Sequence, residues 1–191
     1  MKIAITQTKG GCGKTTTAAF LAVAASRMGY SVEVWDADPQ GSLSDWGITA
    51  HEDGDQLPFD VLAVNKATMK RKSSADYVFI DTPPGNADLI QAAIDTADVV
   101  IVPTQASPLD VQRAWTTLEV CDHRPAAVLI VSADLNTNLL RDTRQAFAES
   151  DVFVFRTAVP KRQDIRRSFG STPDNLHGYD DVFTELLEAM S

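Results

Sequence analysis

Thr8-Lys9-Gly10-Gly11-Cys12-Gly13-Lys14-Thr15 follows the apolar run Ile3-Ala4-Ile5 and leads into a helical pattern. A glycine-rich loop between a strand and a helix curls backbone N–H groups around phosphate oxygens, and the helix N-terminus adds its positive end. In that setting Lys14 reaches the β- and γ-phosphates and Thr15 offers its hydroxyl to Mg²⁺. A nucleoside triphosphate is the expected ligand, held by Gly10, Gly11, Cys12, Gly13, Lys14, Thr15 and Thr16. Two departures from G-x-x-x-x-G-K-[ST] stand out. Thr8 occupies the first glycine position, and a second lysine, Lys9, lies just inside the loop.

With 191 residues, 44% of them hydrophobic, the chain is long enough for one core, and we expect a single domain over residues 1–191. No apolar run approaches the roughly 20 residues of a membrane span, and the N-terminus enters the first strand without a charged leader, so a soluble cytoplasmic protein is expected. Cys12 and Cys121 form no CxxC, and His51, His123 and His177 are scattered, which supports neither a disulfide framework nor a zinc site. Cys12 reads as filler of a variable loop position, with a reactive thiol beside the phosphates as the alternative. The net charge of −9 argues against a uniformly basic nucleic-acid binder. Between residues 156 and 167, however, Arg156, Lys161, Arg162, Arg166 and Arg167 face only Asp164, and Lys66, Lys70, Arg71 and Lys72 form a second concentration.

Short β-branched runs at 32–35, 61–64, 77–80, 99–102, 128–131 and 152–155 alternate with helical patterns. This is repeated βα organisation, and it predicts a doubly wound α/β fold: a mostly parallel sheet of about seven strands with helices on both faces. After the loop, Ala18, Leu21, Ala22, Ala25 and Met28 recur at helical spacing up to Gly29, so that helix is expected to pack one face on the sheet. At the C-terminus Tyr179, Val182, Phe183, Leu186, Leu187 and Met190 form an apolar face, with Asp180, Asp181, Glu185 and Glu188 elsewhere. That acidic polar side disfavours attachment to anionic lipid. The stretch 51–58, with Gly54 and Pro58, reads as an exposed connection.

Carboxylates fall at strand ends, where α/β proteins bind ligands. Trp35-Asp36-Ala37-Asp38-Pro39-Gln40-Gly41 places two acids at the end of the second strand. Tyr77-Val78-Phe79-Ile80-Asp81-Thr82-Pro83-Pro84-Gly85 is an apolar strand ending in an acid, and Asp81 there can hold a metal-bound water opposite Thr15. Gly85 gives the following loop freedom to sense a γ-phosphate. Asn65-Lys66-Ala67-Thr68 lacks the acid of an N-K-x-D guanine motif, so ATP is preferred to GTP.

The loop K-G-G-x-G-K-[ST], the D-x-D-P-Q-G string and the D-T-P-P-G string resemble the deviant Walker A ATPases of the ParA/MinD family, a P-loop NTPase group. The likeness extends over most of the chain, most sharply at 1–43, 77–85, 99–110 and 155–167. Val102-Pro103, Ser107-Pro108-Leu109-Asp110 and Phe155-Arg156-Thr157-Ala158 are similar to the small, ParF-like type Ib partition ATPases. The resemblance implies that Lys9 reaches the partner subunit's phosphates, that Asp38 orients the attacking water and that Asp36 supports the metal through its hydration shell. It also implies an ATP-bound homodimer that binds DNA non-specifically through the segment containing Lys161, Arg162, Arg166 and Arg167. A centromere-binding or cargo adaptor protein would stimulate hydrolysis. By strand order, loops 132–138 and 159–164 are the candidates for contacting the base. Alternatives are a MinD-like membrane-positioning switch and an ATP-dependent small-molecule kinase or ligase resembling dethiobiotin synthetase. An iron–sulfur carrier finds no cluster-ligand context around Cys12 or Cys121.

Overall fold

The computed structural model describes residues 1–150 and 152–190. Among the described residues seven strands form one sheet: β1 (Lys2–Ile5), β2 (Val32–Asp36), β3 (Asp60–Ala63), β4 (Tyr77–Asp81), β5 (Val99–Thr104), β6 (Ala126–Ile130) and β7 (Phe153–Val154). Their order is β3-β2-β4-β1-β5-β6-β7, and every pairing is parallel. The main helices are α1 (Lys14–Arg27), α2 (Ser42–Glu52), α3 (Ala87–Thr96), α4 (Pro108–Glu119), α5 (Asn138–Ala148), the short α6 (Gln163–Arg167) and α7 (Tyr179–Met190). No helix among the described residues is long and apolar enough to cross a membrane.

Alternation of side chains along each strand supplies both faces of the sheet with apolar groups. Ile3, Ile5, Val34, Phe79 and Ile101 pack against α1, α2 and α7, whereas Ala4, Ile80, Val100, Val128 and Ile130 pack against α3, α4 and α5. The helix after the loop differs from the amphipathic expectation. Every residue from Thr17 to Ala25 is buried, because α7 covers the side of α1 turned away from the sheet. Small side chains, Ala18, Ala19, Ala22, Ala24 and Ala25, permit that enclosure. The helix ends as expected at Gly29 (φ +89°), where Tyr30 N–H donates to Ala25 O and Gly29 N–H to Ser26 O.

Two further expectations need correction. The connection inferred for 51–58 begins inside α2, since His51 and Glu52 form its last turn. Glu185, assigned to the polar side of the last helix, is buried: it accepts from Arg156 N–H (2.6 Å), Thr157 N–H (2.9 Å) and Thr157 Oγ1 (2.7 Å). Its spacing from Asp181 and Glu188 resembles a solvent face, but the β7–α6 connection folds back over it. Glu185→Ala leaves those backbone donors unpaired, and we expect a loss of about 2–4 kcal/mol, read by urea unfolding as a lower midpoint at an unchanged slope.

Candidate nucleotide-binding site

Parallel register assembles the site. Ile5 pairs with Asp81 and Asp81 with Asp36, so the loop that leaves β1 starts on the same row as both strand-end carboxylates. β1 is the central strand, and the chain passes from β4 to β5 across it, which creates the crevice at the C-terminal sheet edge where this fold class binds ligands. Gly13 caps α1 with φ +85°, and a Cβ there would lie 3.5 Å from Val131 Cγ2; Gly11 has φ +73°. These left-handed conformations let the loop turn its backbone inward.

Lys14 begins α1 and is buried, its Nζ 3.2 Å from Lys9 O. Cys12 is also buried, with Sγ 3.2 Å from Lys9 O, and burial pushes its thiol above the usual range. Both features belong to a packing side chain more than to an exposed, ionised thiol. Thr8 stands at the first glycine position without a positive φ, and its N–H donates to Gln7 Oε1 (2.9 Å), which Thr117 Oγ1 also reaches (2.7 Å). Gln7 was not singled out in the sequence.

Thr15 Oγ1 donates to Asp81 Oδ2 at 2.6 Å, and Asp81 Oδ1 is buried with no hydrogen-bond partner among the described residues. Burial raises the Asp81 carboxyl to about 7, the Thr15 hydrogen bond opposes that rise, and the charge of Asp36 adds to it. A hard cation suits this donor set: an oxygen-only pair in which one carboxylate oxygen lacks a partner among the described residues. Among the described residues no three His, Cys, Asp or Glu converge on one point, so a Mg²⁺ here would complete its shell with phosphate and water oxygens. Asp36 is tied into the start of α2, its Oδ2 accepting from Ser44 N–H (2.8 Å) and Ser44 Oγ (2.7 Å). Asp38 lies in the turn before α2, its Oδ1 accepting from Gln40 N–H at 2.9 Å.

The raised Asp81 value has a measurable sign. Its native carboxyl retains a proton between about pH 4 and 7 that the unfolded chain has released, so its stability contribution is complete at low pH and is lost as pH rises through 7. Asp81→Asn is therefore expected to stabilise the nucleotide-free protein at pH 8 by about 1–3 kcal/mol and to change it little at pH 4. Urea titrations at the two pH values check this, and an equal difference at both would contradict it.

Lys9 Nζ pairs with Asp110 Oδ1 at 2.6 Å within the same chain. Asp110 is in turn held by Ser107 Oγ, 2.5 Å from its Oδ2, at the start of α4. Nothing in the sequence couples positions 9 and 110; the contact depends on β1 and β5 being neighbours.

Beside the loop lies a cleft of about 150 Å³, bordered by Gly11, Gly13, Thr16, Ser132, Val159 and Tyr179. Both loops expected to contact the base, 132–138 and 159–164, contribute to it. So do Lys161, Arg162 and Arg166, three of the four residues assigned to DNA, whereas Arg167 is absent from that lining among the described residues. Arg156 is drawn away from the basic group by Glu188 (2.6 Å) and Glu185 (3.6 Å). The four exposed cations of this segment thus divide between the cleft and the outer surface.

The profile of the CobQ/CobB/MinD/ParA nucleotide binding domain matches residues 3–172. The chain belongs to that family, whose members are P-loop nucleotide-binding proteins that include the ParA/MinD-type ATPases. Among particular relatives it is 27% identical to the maintenance of carboxysome distribution protein A of Halothiobacillus neapolitanus, over 87% of this chain and 82% of that one. It is 28% identical to the chromosome-partitioning ATPase Soj of Thermus thermophilus, over 90% of this chain and 86% of that one. The structure of the septum site-determining protein MinD from Pyrococcus horikoshii, complexed with Mg-ADP, superposes with a TM-score of 0.77 at 17% identity, over 100% of this chain and 97% of that one.

Proposed function

We propose that this chain is a Mg²⁺-dependent ATPase switch that dimerises with ATP, binds duplex DNA non-specifically in that state and positions DNA or another cargo. The observation that carries the reading is the assembly of one phosphate loop, the Thr15–Asp81 pair and a second lysine, Lys9, at one sheet edge. In this reading Gly10, Gly11, Cys12, Gly13, Lys14, Thr15 and Thr16 hold the nucleotide. Thr15 and Asp81 hold Mg²⁺, with Asp36 behind them, and Asp38 orients the water that attacks the γ-phosphate. Bound Mg²⁺ supplies charge neutralisation at the phosphates. Lys9 leaves Asp110 to serve the partner subunit's phosphates, in the role an arginine finger plays in other P-loop enzymes. Relatives named for chromosome partitioning and carboxysome distribution support a cargo role, with an adaptor protein as the second partner.

DNA contact by Lys161, Arg162, Arg166 and Arg167 is tested by fluorescence anisotropy on a random duplex at several salt concentrations. Non-specific affinity comes mainly from phosphate neutralisation, so each lost contact lowers the log–log salt slope by about 1. Arg167→Ala is expected to reduce the slope while leaving ATP affinity unchanged. Arg166→Ala, whose side chain borders the cleft, is expected to shift both. An ATP-bound protein that ignores DNA, or an unaltered slope in Arg167→Ala, would return the segment to a solvated surface.

A further inference from the structure

The buried residues of α4, Asp110, Ala114 and Thr117, follow one another at spacings of four and three, which puts them on one face of the helix. Both polar members of that face reach the start of the phosphate loop. Asp110 holds the Lys9 ammonium. Two turns further on, Thr117 Oγ1 lies 2.7 Å from Gln7 Oε1 and 3.4 Å from the Thr8 backbone nitrogen. Gln7 Oε1 also accepts from Thr8 N–H at 2.9 Å. Gln7 is 1% exposed and Thr117 fully buried, and among the described residues neither belongs to the lining of the cleft beside the loop. Buried polar groups persist where they satisfy one another, and this knot does so out of a ligand's reach.

The knot differs from the other contacts that fix Lys9. Its carbonyl accepts from Lys14 Nζ (3.2 Å) and Cys12 Sγ (3.2 Å), and its ammonium pairs with Asp110. When Lys14 and Lys9 both turn to phosphates, as proposed above, two of those three contacts break. The bonds among Gln7, Thr8 and Thr117 contain no group that serves a phosphate, so they survive the change. We infer that Gln7 and Thr117 are positioning residues: they hold the backbone at Thr8, so that the Lys9 side chain, once free of Asp110, starts from a fixed Cα and is aimed across the subunit interface. The inference rests on the proposed role of Lys9. A long side chain on a loose backbone spreads its ammonium over a wide volume, and a misplacement of about 1 Å costs about a hundredfold in rate. Nucleotide affinity, carried in that reading by residues 10–16, is spared.

Thr117→Val removes the hydroxyl at nearly constant shape. At protein concentrations where the dimer is full, it is expected to lower kcat for phosphate release by about tenfold or more, with Kd for fluorescent ATP within about twofold. Thr117→Ser should restore the rate to within about twofold of the parent. Without nucleotide, the Thr8 amide should exchange with solvent about tenfold faster or more in Thr117→Val, read by ¹⁵N NMR. The deciding comparison is a double-mutant cycle with Lys9→Ala. If Thr117 acts through Lys9, adding Thr117→Val to Lys9→Ala should change the residual rate by less than about twofold. Gln7→Met keeps side-chain volume, deletes the acceptor and goes through the same cycle, so a failure of one variant to fold still leaves the other to decide. Thr116→Val, on the exposed side of α4, should match the parent throughout. Parental kcat in the folded variants, equal losses with and without Lys9, or a loss of ATP affinity as large as the loss of kcat would overturn the proposal and leave the ATPase reading in place. Normal turnover in Lys9→Ala would remove that reading, and the proposal with it.

Discussion

Lys14→Ala is expected to lower affinity for Mg-ATP by about a hundredfold or more while the protein remains folded. Lys14 is 6% exposed, and its ammonium faces a carbonyl and a thiol, Lys9 O at 3.2 Å and Cys12 Sγ at 3.9 Å. Among the described residues no salt bridge includes it. A buried cation with such weak partners is poised for an anion, and loss of one buried charge-assisted contact costs about 2–5 kcal/mol of binding. Stability should hold or improve, because the substitution removes a desolvated charge without orphaning a carboxylate. Equilibrium titration with fluorescent ATP, beside a urea curve for the same variant, checks both parts. Unchanged affinity in a folded variant would remove the phosphate-loop reading.

Lys9→Ala is expected to retain ATP binding within a few-fold yet to lower dimer-dependent hydrolysis by about three orders of magnitude, the scale of an arginine-finger contribution. The side chain of Lys9 is 40% exposed and, among the described residues, tied only to Asp110, whose side chain is 8% exposed, so releasing it leaves a buried carboxylate held by Ser107, a cost that the contact to a developing phosphoryl charge has to offset. Asp110→Asn should act in the opposite sense. It weakens the tether without touching the loop, and the ATP-dependent dimer should form at lower protein concentration. Phosphate release and light scattering on the three proteins decide the matter. A Lys9→Ala variant with normal turnover would confine Lys9 to its pairing with Asp110.

Much of this was legible in the chain because local chemistry wrote it. Gly11 and Gly13 stand where only inward-turned backbone is useful, and the strand-end acids Asp36 and Asp81 fall where a parallel sheet delivers them. Alternation along the strands likewise announced a sheet covered on both sides. What escaped was non-local. The burial of Glu185 depends on the 155–158 segment folding over α7, and no periodicity within α7 signals it. The enclosure of α1 depends on Tyr179, whose hydroxyl lies 3.0 Å from Thr17 Oγ1 across 162 residues of sequence. Lys9 and Asp110 meet only because β1 and β5 are adjacent. The basic segment was visible as composition, but its division between cleft and surface is set by how α6 returns to the loop.

The most direct test of the switch is the rate of free phosphate release per subunit from Mg-ATP as protein concentration is varied. If Lys9 completes the site of a second subunit, the rate per subunit rises with concentration and then saturates as the dimer fills, and chelation of Mg²⁺ abolishes it. A rate per subunit independent of concentration, or ATP consumption without free phosphate, would contradict the account.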